Sequence, residues 1–96
     1  MRRIVKRPLA REDLIGIWRY TYEEWGEQQA DRYLDELEAG IAKLQDHPRL
    51  GRVRHEVRQG YRSLSINQHV VFYTVEGDVI RIIRVLHARM DPDSHL

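Results

Sequence analysis

A chain of 96 residues suffices for one domain built around a single two-layer core. The absence of cysteine excludes disulfide staples, thiolate zinc sites and thiol catalysis. No apolar run reaches the length of a membrane span or reads as a secretory leader, so a cytoplasmic protein is expected, and a net charge of +1 predicts no polyanion partner by itself.

Charge is nonetheless unevenly distributed. Arg2, Arg3, Lys6, Arg7 and Arg11 precede the first acid, residues 23–46 are acidic, and Arg49, Arg52, Arg54, Arg58 and Arg62 stand against Glu56 alone. An acidic helical side and a basic loop-and-strand side follow from this. Arg3 to Arg7, with Ile4 and Val5 as apolar members, reads as a short strand ended by Pro8. A helix then opens at the acidic turn Glu12-Asp13, which suits the positive end of the helix dipole. Leu14, Ile17, Trp18, Thr21 and Trp25 form its core-facing stripe, and Gly26 stops it. Ile15 and Tyr22, on the shoulder of that stripe, fit either a broad core band or a partner groove beside the helix.

A second helix is expected from about Glu27 to Asp46, with Ala30, Tyr33, Leu34, Leu37, Ile41 and Leu44 as its stripe. Gly40 within it points to close approach of the first helix. The short link makes the two helices an antiparallel hairpin. His47-Pro48 ends the hairpin, and a basic loop runs from Arg49 to Gln59.

From Tyr61 the chain changes character. Tyr61 to Ile66, His69 to Val75 and Val79 to His87 are rich in β-branched and aromatic residues, and the polar breaks between them are too short for crossover helices. A three-stranded antiparallel meander follows. Strict alternation sets Val71, Tyr73 and Val75 against Val70 and Phe72, and Ile83 and Val85 against Ile80, Ile82 and Leu86, so both faces of the sheet need cover. The fold class is α+β: strand, helical hairpin, meander. A hairpin covers one face only. The other is expected to carry Arg62, Leu64, Ile66, Ile82, Arg84 and Leu86, partly covered by the tail Ala88 to Leu96 and otherwise completed by another polypeptide.

Several stretches together resemble a known family. These are Arg11-Glu-Asp-Leu-x-x-Ile-Trp-x-Tyr, His47-Pro-x-Leu-Gly, Gly60-Tyr-Arg, His69-Val-Val-Phe-Tyr and Ile82-Ile-Arg-Val-Leu-His-Ala-Arg-Met-Asp. Their order and spacing over nearly the whole chain are similar to ParE-type toxins of type II toxin-antitoxin modules, within the RelE/ParE superfamily. The resemblance implies a toxin that inhibits DNA gyrase and blocks replication until a ParD-like antitoxin binds. The alternative it implies is a RelE-like, ribosome-dependent mRNA endoribonuclease. Arg62 falls where such nucleases have one of their lysines, but against that alternative Leu64 and Val70 stand where they have further basic residues, and Asp91-Pro-Asp-Ser-His-Leu contains no tyrosine.

RNA cleavage without a metal would need a base, an acid and cationic stabilisation of the phosphorane. Glu56, His69 or His87, and Arg62 with Arg84 are the residues available for those roles. Structural roles compete with this reading: Arg84 pairing an acid of the helical layer, His87 capping a strand end, and Tyr61 and Tyr73 as core aromatics with a hydrogen-bonded tip. Arg62, Arg84, His87, Arg89 and Met90 are the expected target contacts. Ile15, Arg19, Tyr22, Leu64, Ile66, Ile82 and Leu86 are the expected antitoxin contacts. His87, Asp91, Asp93 and His95 match no metal-ligand template, so no metal or cofactor is expected. Nor is a membrane or sequence-specific DNA contact; the expected assembly is a hetero-oligomer with the antitoxin.

Overall fold

A computed structural model describes residues 2–96. Strand β1 (Arg3–Lys6) leads into helices α1 (Pro8–Trp25) and α2 (Glu27–Ala42), then β2 (Arg52–Val53), β3 (Arg62–Ile66), β4 (His69–Glu76) and β5 (Val79–His87), with short 3₁₀ turns at Lys43–Gln45 and Pro92–Ser94. The five strands are ordered β1-β5-β4-β3-β2. The expected meander forms the centre, and β1 adds to β5 in parallel. The two-residue β2, which the sequence did not suggest, closes the far edge against β3.

Local chemistry explains the boundaries. Pro8 does not merely end the strand but occupies the first helical turn, where its missing N–H is no loss, so α1 starts four residues earlier than its acidic turn implies. Gly26, at φ 93°, alone joins the helices, and its N–H reaches the Tyr22 carbonyl. Asn67 and Gly77, both with positive φ, make the two β-hairpins possible.

The core lies between the hairpin and one sheet face. Ala10 and Leu14 of α1, Leu37 and Ile41 of α2, and Leu44 pack against Val71, Tyr73, Ile80, Ile82 and Val85. The Tyr73 hydroxyl donates to the Pro48 carbonyl at 2.8 Å and accepts the Gly51 N–H at 2.9 Å, pinning the loop after the helices to the sheet. Gly40 faces β3 and not α1: a Cβ there would run into the Ile66 side chain. Trp25 departs from the expected stripe, since it is 74% exposed at the end of α1.

The assignment of β5 residues to faces needs correction. Val71 pairs with Val85 and Tyr73 with Ile82, so Ile83 is the extra residue of a bulge between Phe72 and Tyr73. The bulge flips the alternation, so Ile80, Ile82 and Val85 share the helix-covered face. Leu64 and Ile66 pack against that same core, and Ile82 is fully buried. The expected open face of Arg62, Leu64, Ile66, Ile82, Arg84 and Leu86 therefore does not exist. On the reverse side Phe72 and Leu86 are themselves buried. The Arg54 guanidinium lies 5.4 Å over the Phe72 ring, and Arg84 Nη1 holds the tail through the His95 carbonyl at 3.0 Å. Most of the exposed large apolar side chains among the described residues are on α1, namely Leu9, Ile15, Tyr20, Tyr22 and Trp25, with Leu50, Val53 and Met90 elsewhere.

Candidate functional site: the groove beside α1

β1 pairs with β5 only as far as Ile82, which leaves Ile83–His87 with no strand on that side. An unpaired edge of this kind needs management. Here α1 supplies it: the Asp13 carboxylate accepts the Val85 N–H at 2.9 Å and, through both oxygens, Arg84 Nε at 2.7 Å and Nη2 at 2.8 Å. The Asp13 bond raises the Arg84 value further above its already basic range. The expectation that Arg84 pairs an acid of the helical layer is met, with Asp13 as the acid.

Beyond this ion pair, α1 and the bare edge diverge to form a groove of about 730 Å³. Gly16, Ile17, Tyr20 and Trp25 form one wall, Val85, His87 and Met90 the other, and Tyr33 and His69 the end. Its size and its mix of aromatic walls with a few fixed polar groups are those of a binding site. A smaller cleft of about 330 Å³, bounded by Leu14, Ile15, Trp18, Leu34 and Glu38, lies on the opposite flank of α1. There Trp18 stacks on Tyr22 and donates to Asp31 at 2.9 Å.

A polar cluster closes the end of the groove. The Tyr33 hydroxyl lies 2.6 Å from His69 Nδ1 and accepts the Gln68 N–H at 3.2 Å. His69 and His87, the terminal pair of the β4–β5 ladder, meet edge to face with centroids 5.2 Å apart. His87 Nδ1 accepts the Arg89 N–H at 3.1 Å, so His87 does cap the end of its strand. Burial, and secondarily the neighbouring His87, push His69 down to about 4, while burial raises the Tyr33 phenol. Both groups are therefore neutral near pH 7.

The five residues singled out for nuclease chemistry converge only in part: His69, Arg84 and His87 line the groove, and Glu56 and Arg62 lie away from it. Glu56 is exposed and paired with Arg54 at 2.7 Å, a bond that holds its carboxyl below the usual range. Arg62 donates to the Gly51 carbonyl at 2.8 Å and pairs with Tyr73, four positions along β4 from His69. At about 3.3 Å per strand residue, that places it roughly 13 Å from the histidines. His69, Arg84, His87 and Met90 do share the groove. Ile15, Arg19, Tyr22 and Arg89 are exposed outside it. Among the described residues, no three or more His, Asp or Glu side chains are placed to hold a metal. Asp13, Tyr20 and Tyr33 were missed: Glu12-Asp13 reads as the opening of the helix although α1 begins at Pro8, and nothing in periodicity marks a carboxylate that caps a strand edge.

Comparison with known proteins agrees with this architecture. Residues 4–92 match the family model for the ParE toxin of the type II toxin-antitoxin system parDE. Toxin ParE1 of Mycobacterium tuberculosis (strain ATCC 25618 / H37Rv) is 45% identical over 95 residues, covering 98% of this chain and 97% of the relative. Toxin ParE1 of Caulobacter vibrioides is 44% identical over 87 residues, or 91% and 90% of the two chains. A solved chain from the chromosomal ParDE TA system of P. aeruginosa shares the fold with a TM-score of 0.81 at 21% identity, covering 91% of this chain and 96% of that one.

Proposed function

The chain belongs to the ParE toxin family of type II toxin-antitoxin systems, and on that premise we propose that it acts in the cytoplasm by binding DNA gyrase, and that a ParD-like antitoxin neutralises it by covering α1 and its groove. The observation that carries the antitoxin site is a helix, α1, with five exposed large apolar side chains, two of which, Tyr20 and Trp25, line a groove whose other wall is the half of β5 without a strand neighbour on the β1 side. Exposed apolar surface of this kind is characteristic of docking faces. An antitoxin segment that folds on binding fits it better than a rigid globule, because the surface curves round a helix.

Action by binding, and not by RNA cleavage, is supported by the separation of Glu56 and Arg62 from His69 and His87. Gyrase as the target rests on the family resemblance. Of the expected target contacts, Arg62 and Arg84 are already engaged within the chain, whereas Arg89 and Met90 are exposed beside the groove. The deciding experiment titrates purified toxin into a gyrase supercoiling and cleavage-complex assay. Inhibition reversed by the product of the neighbouring open reading frame is expected. Unaffected gyrase at large toxin excess, with mapped transcript ends showing ribosome-dependent cleavage, would overturn the gyrase assignment.

A further inference from the structure

We propose that Tyr33, His69 and His87 make the groove beside α1 proton-sensitive: it holds its antitoxin with both imidazoles neutral and releases it when the pair takes up a proton. This rests on the reading of the groove as the antitoxin site and adds its regulation. The hydrogen bonds assign the protons. A backbone N–H can only donate, so His87 Nδ1, which accepts from Arg89 N–H, is bare and the ring carries its proton on Nε2. The Tyr33 hydroxyl accepts the Gln68 N–H and shares a second hydrogen bond with His69 Nδ1, whose direction follows the His69 tautomer. The Arg89 N–H keeps its acceptor only while the His87 ring is neutral.

Adding a proton undoes one of these arrangements. A proton on His87 Nδ1 deletes the acceptor of Arg89 N–H, one of two bonds across the turn before Met90, the other being Met90 N–H to the His87 carbonyl at 2.9 Å. A proton on His69 leaves N–H on both ring nitrogens, so the Tyr33 oxygen can then only accept there. The rings are close enough that one cation opposes a second. Of the other charges near the pair, Asp13, although paired with Arg84, favours a proton on His69, an effect smaller than those of burial and of His87; Glu12 and His95 line the same groove, and Glu36 on α2 is bonded to Asn67. A partner lying over Trp25, Met90 and the ring edges would strip the water an imidazolium needs, so docking favours the neutral pair. By linkage, binding expels a proton and affinity falls in acid.

The test uses the full chain and the antitoxin that copurifies with it. Histidine-selective NMR of the free protein assigns the tautomers and gives the midpoint at which the pair takes its first proton. Affinity is then measured near neutral pH and one unit below that midpoint, for the parent, His87→Gln and His69→Gln. The expected result is an Nε2–H tautomer of His87 at neutral pH, and an affinity for the parent about tenfold lower at the acid point. The loss should be strongly reduced in His87→Gln with the same antitoxin. Equal pH dependence in parent and variants, or an Nδ1–H tautomer at His87, would overturn the proposal. The groove reading fails separately if Tyr20→Ala and Trp25→Ala leave affinity at neutral pH unchanged.

Discussion

Asp13→Asn removes one charge at constant shape and exposes how much the fold depends on the join between α1 and β5. The carboxylate accepts three hydrogen bonds, two from Arg84 and one from the Val85 N–H. The Arg84 and Asp13 side chains keep only 16% and 14% of their exposure, so water substitutes poorly for a lost partner. An amide accepts at one oxygen and turns its NH₂ group against a remaining donor. Hydrogen bonds to charged groups contribute about 1.5–3 kcal/mol net. Stranding one member of a buried pair costs roughly 3–5 kcal/mol, and residual access to water lowers the expected loss to about 2–4 kcal/mol. In a domain of this length that corresponds to a fall in Tm on the order of 10–25 °C. Urea unfolding followed by tryptophan fluorescence and circular dichroism measures it, with Glu12→Gln as the neighbouring charge control. Asp13→Asn within about 0.5 kcal/mol of the parent, the usual range for a surface change, would refute the reasoning. A compensated Asp13→Leu, Arg84→Met pair should recover part of the loss, because no lone charge is left although the Val85 N–H still lacks its acceptor.

Other substitutions test the loop and the cluster. Tyr73→Phe keeps the ring but strands the Gly51 N–H and the Pro48 carbonyl; a loss of about 1–3 kcal/mol is expected in the same unfolding assay. Gly51→Ala would place a Cβ 2.6 Å from the Ser63 carbonyl oxygen and 2.7 Å from the Tyr73 hydroxyl. Backbone cannot yield there, and destabilisation of about 1–3 kcal/mol is expected. The depressed His69 value makes folding acid-sensitive in a defined window. Between about 6.5 in the unfolded chain and about 4 in the folded one, the unfolded state binds more protons. Stability is therefore full above pH 6.5 and is lost as pH falls toward 4. Full linkage would be roughly 3 kcal/mol, reduced to about 1–2 kcal/mol because the ring is only half-buried. His69→Gln should flatten that part of the stability–pH curve; parallel curves for parent and variant would contradict the assignment.

Much of this architecture is legible in the residues. The β-branched runs with two- and three-residue breaks could only form hairpins, and the leucine and isoleucine stripe of α2 could only face a sheet. Less legible was anything that depends on register. Alternation in Val79–His87 reads as a strand apolar on both sides, and only the pairing with β4 reveals that Ile83 is extra and that Ile80, Ile82 and Val85 share a face. The reverse face looked unshielded because Arg54 reads as a loop cation, whereas it lies over Phe72 while donating to the Ser63 hydroxyl at 3.0 Å. Trp25 matched the helical stripe by spacing, but α1 outruns the sheet it packs on. Asp13 was hidden for a different reason: its partners lie 71 and 72 positions away.

The central claim is that α1 and the free half of β5 form the antitoxin site. Hydrogen exchange of the toxin alone and in its natural complex tests it most directly. Bound antitoxin should slow exchange at Tyr20–Trp25 and Val85–Met90 while leaving residues 49–62 unchanged. Protection confined to residues 49–62, with α1 and the end of β5 exchanging as in the free chain, would contradict it.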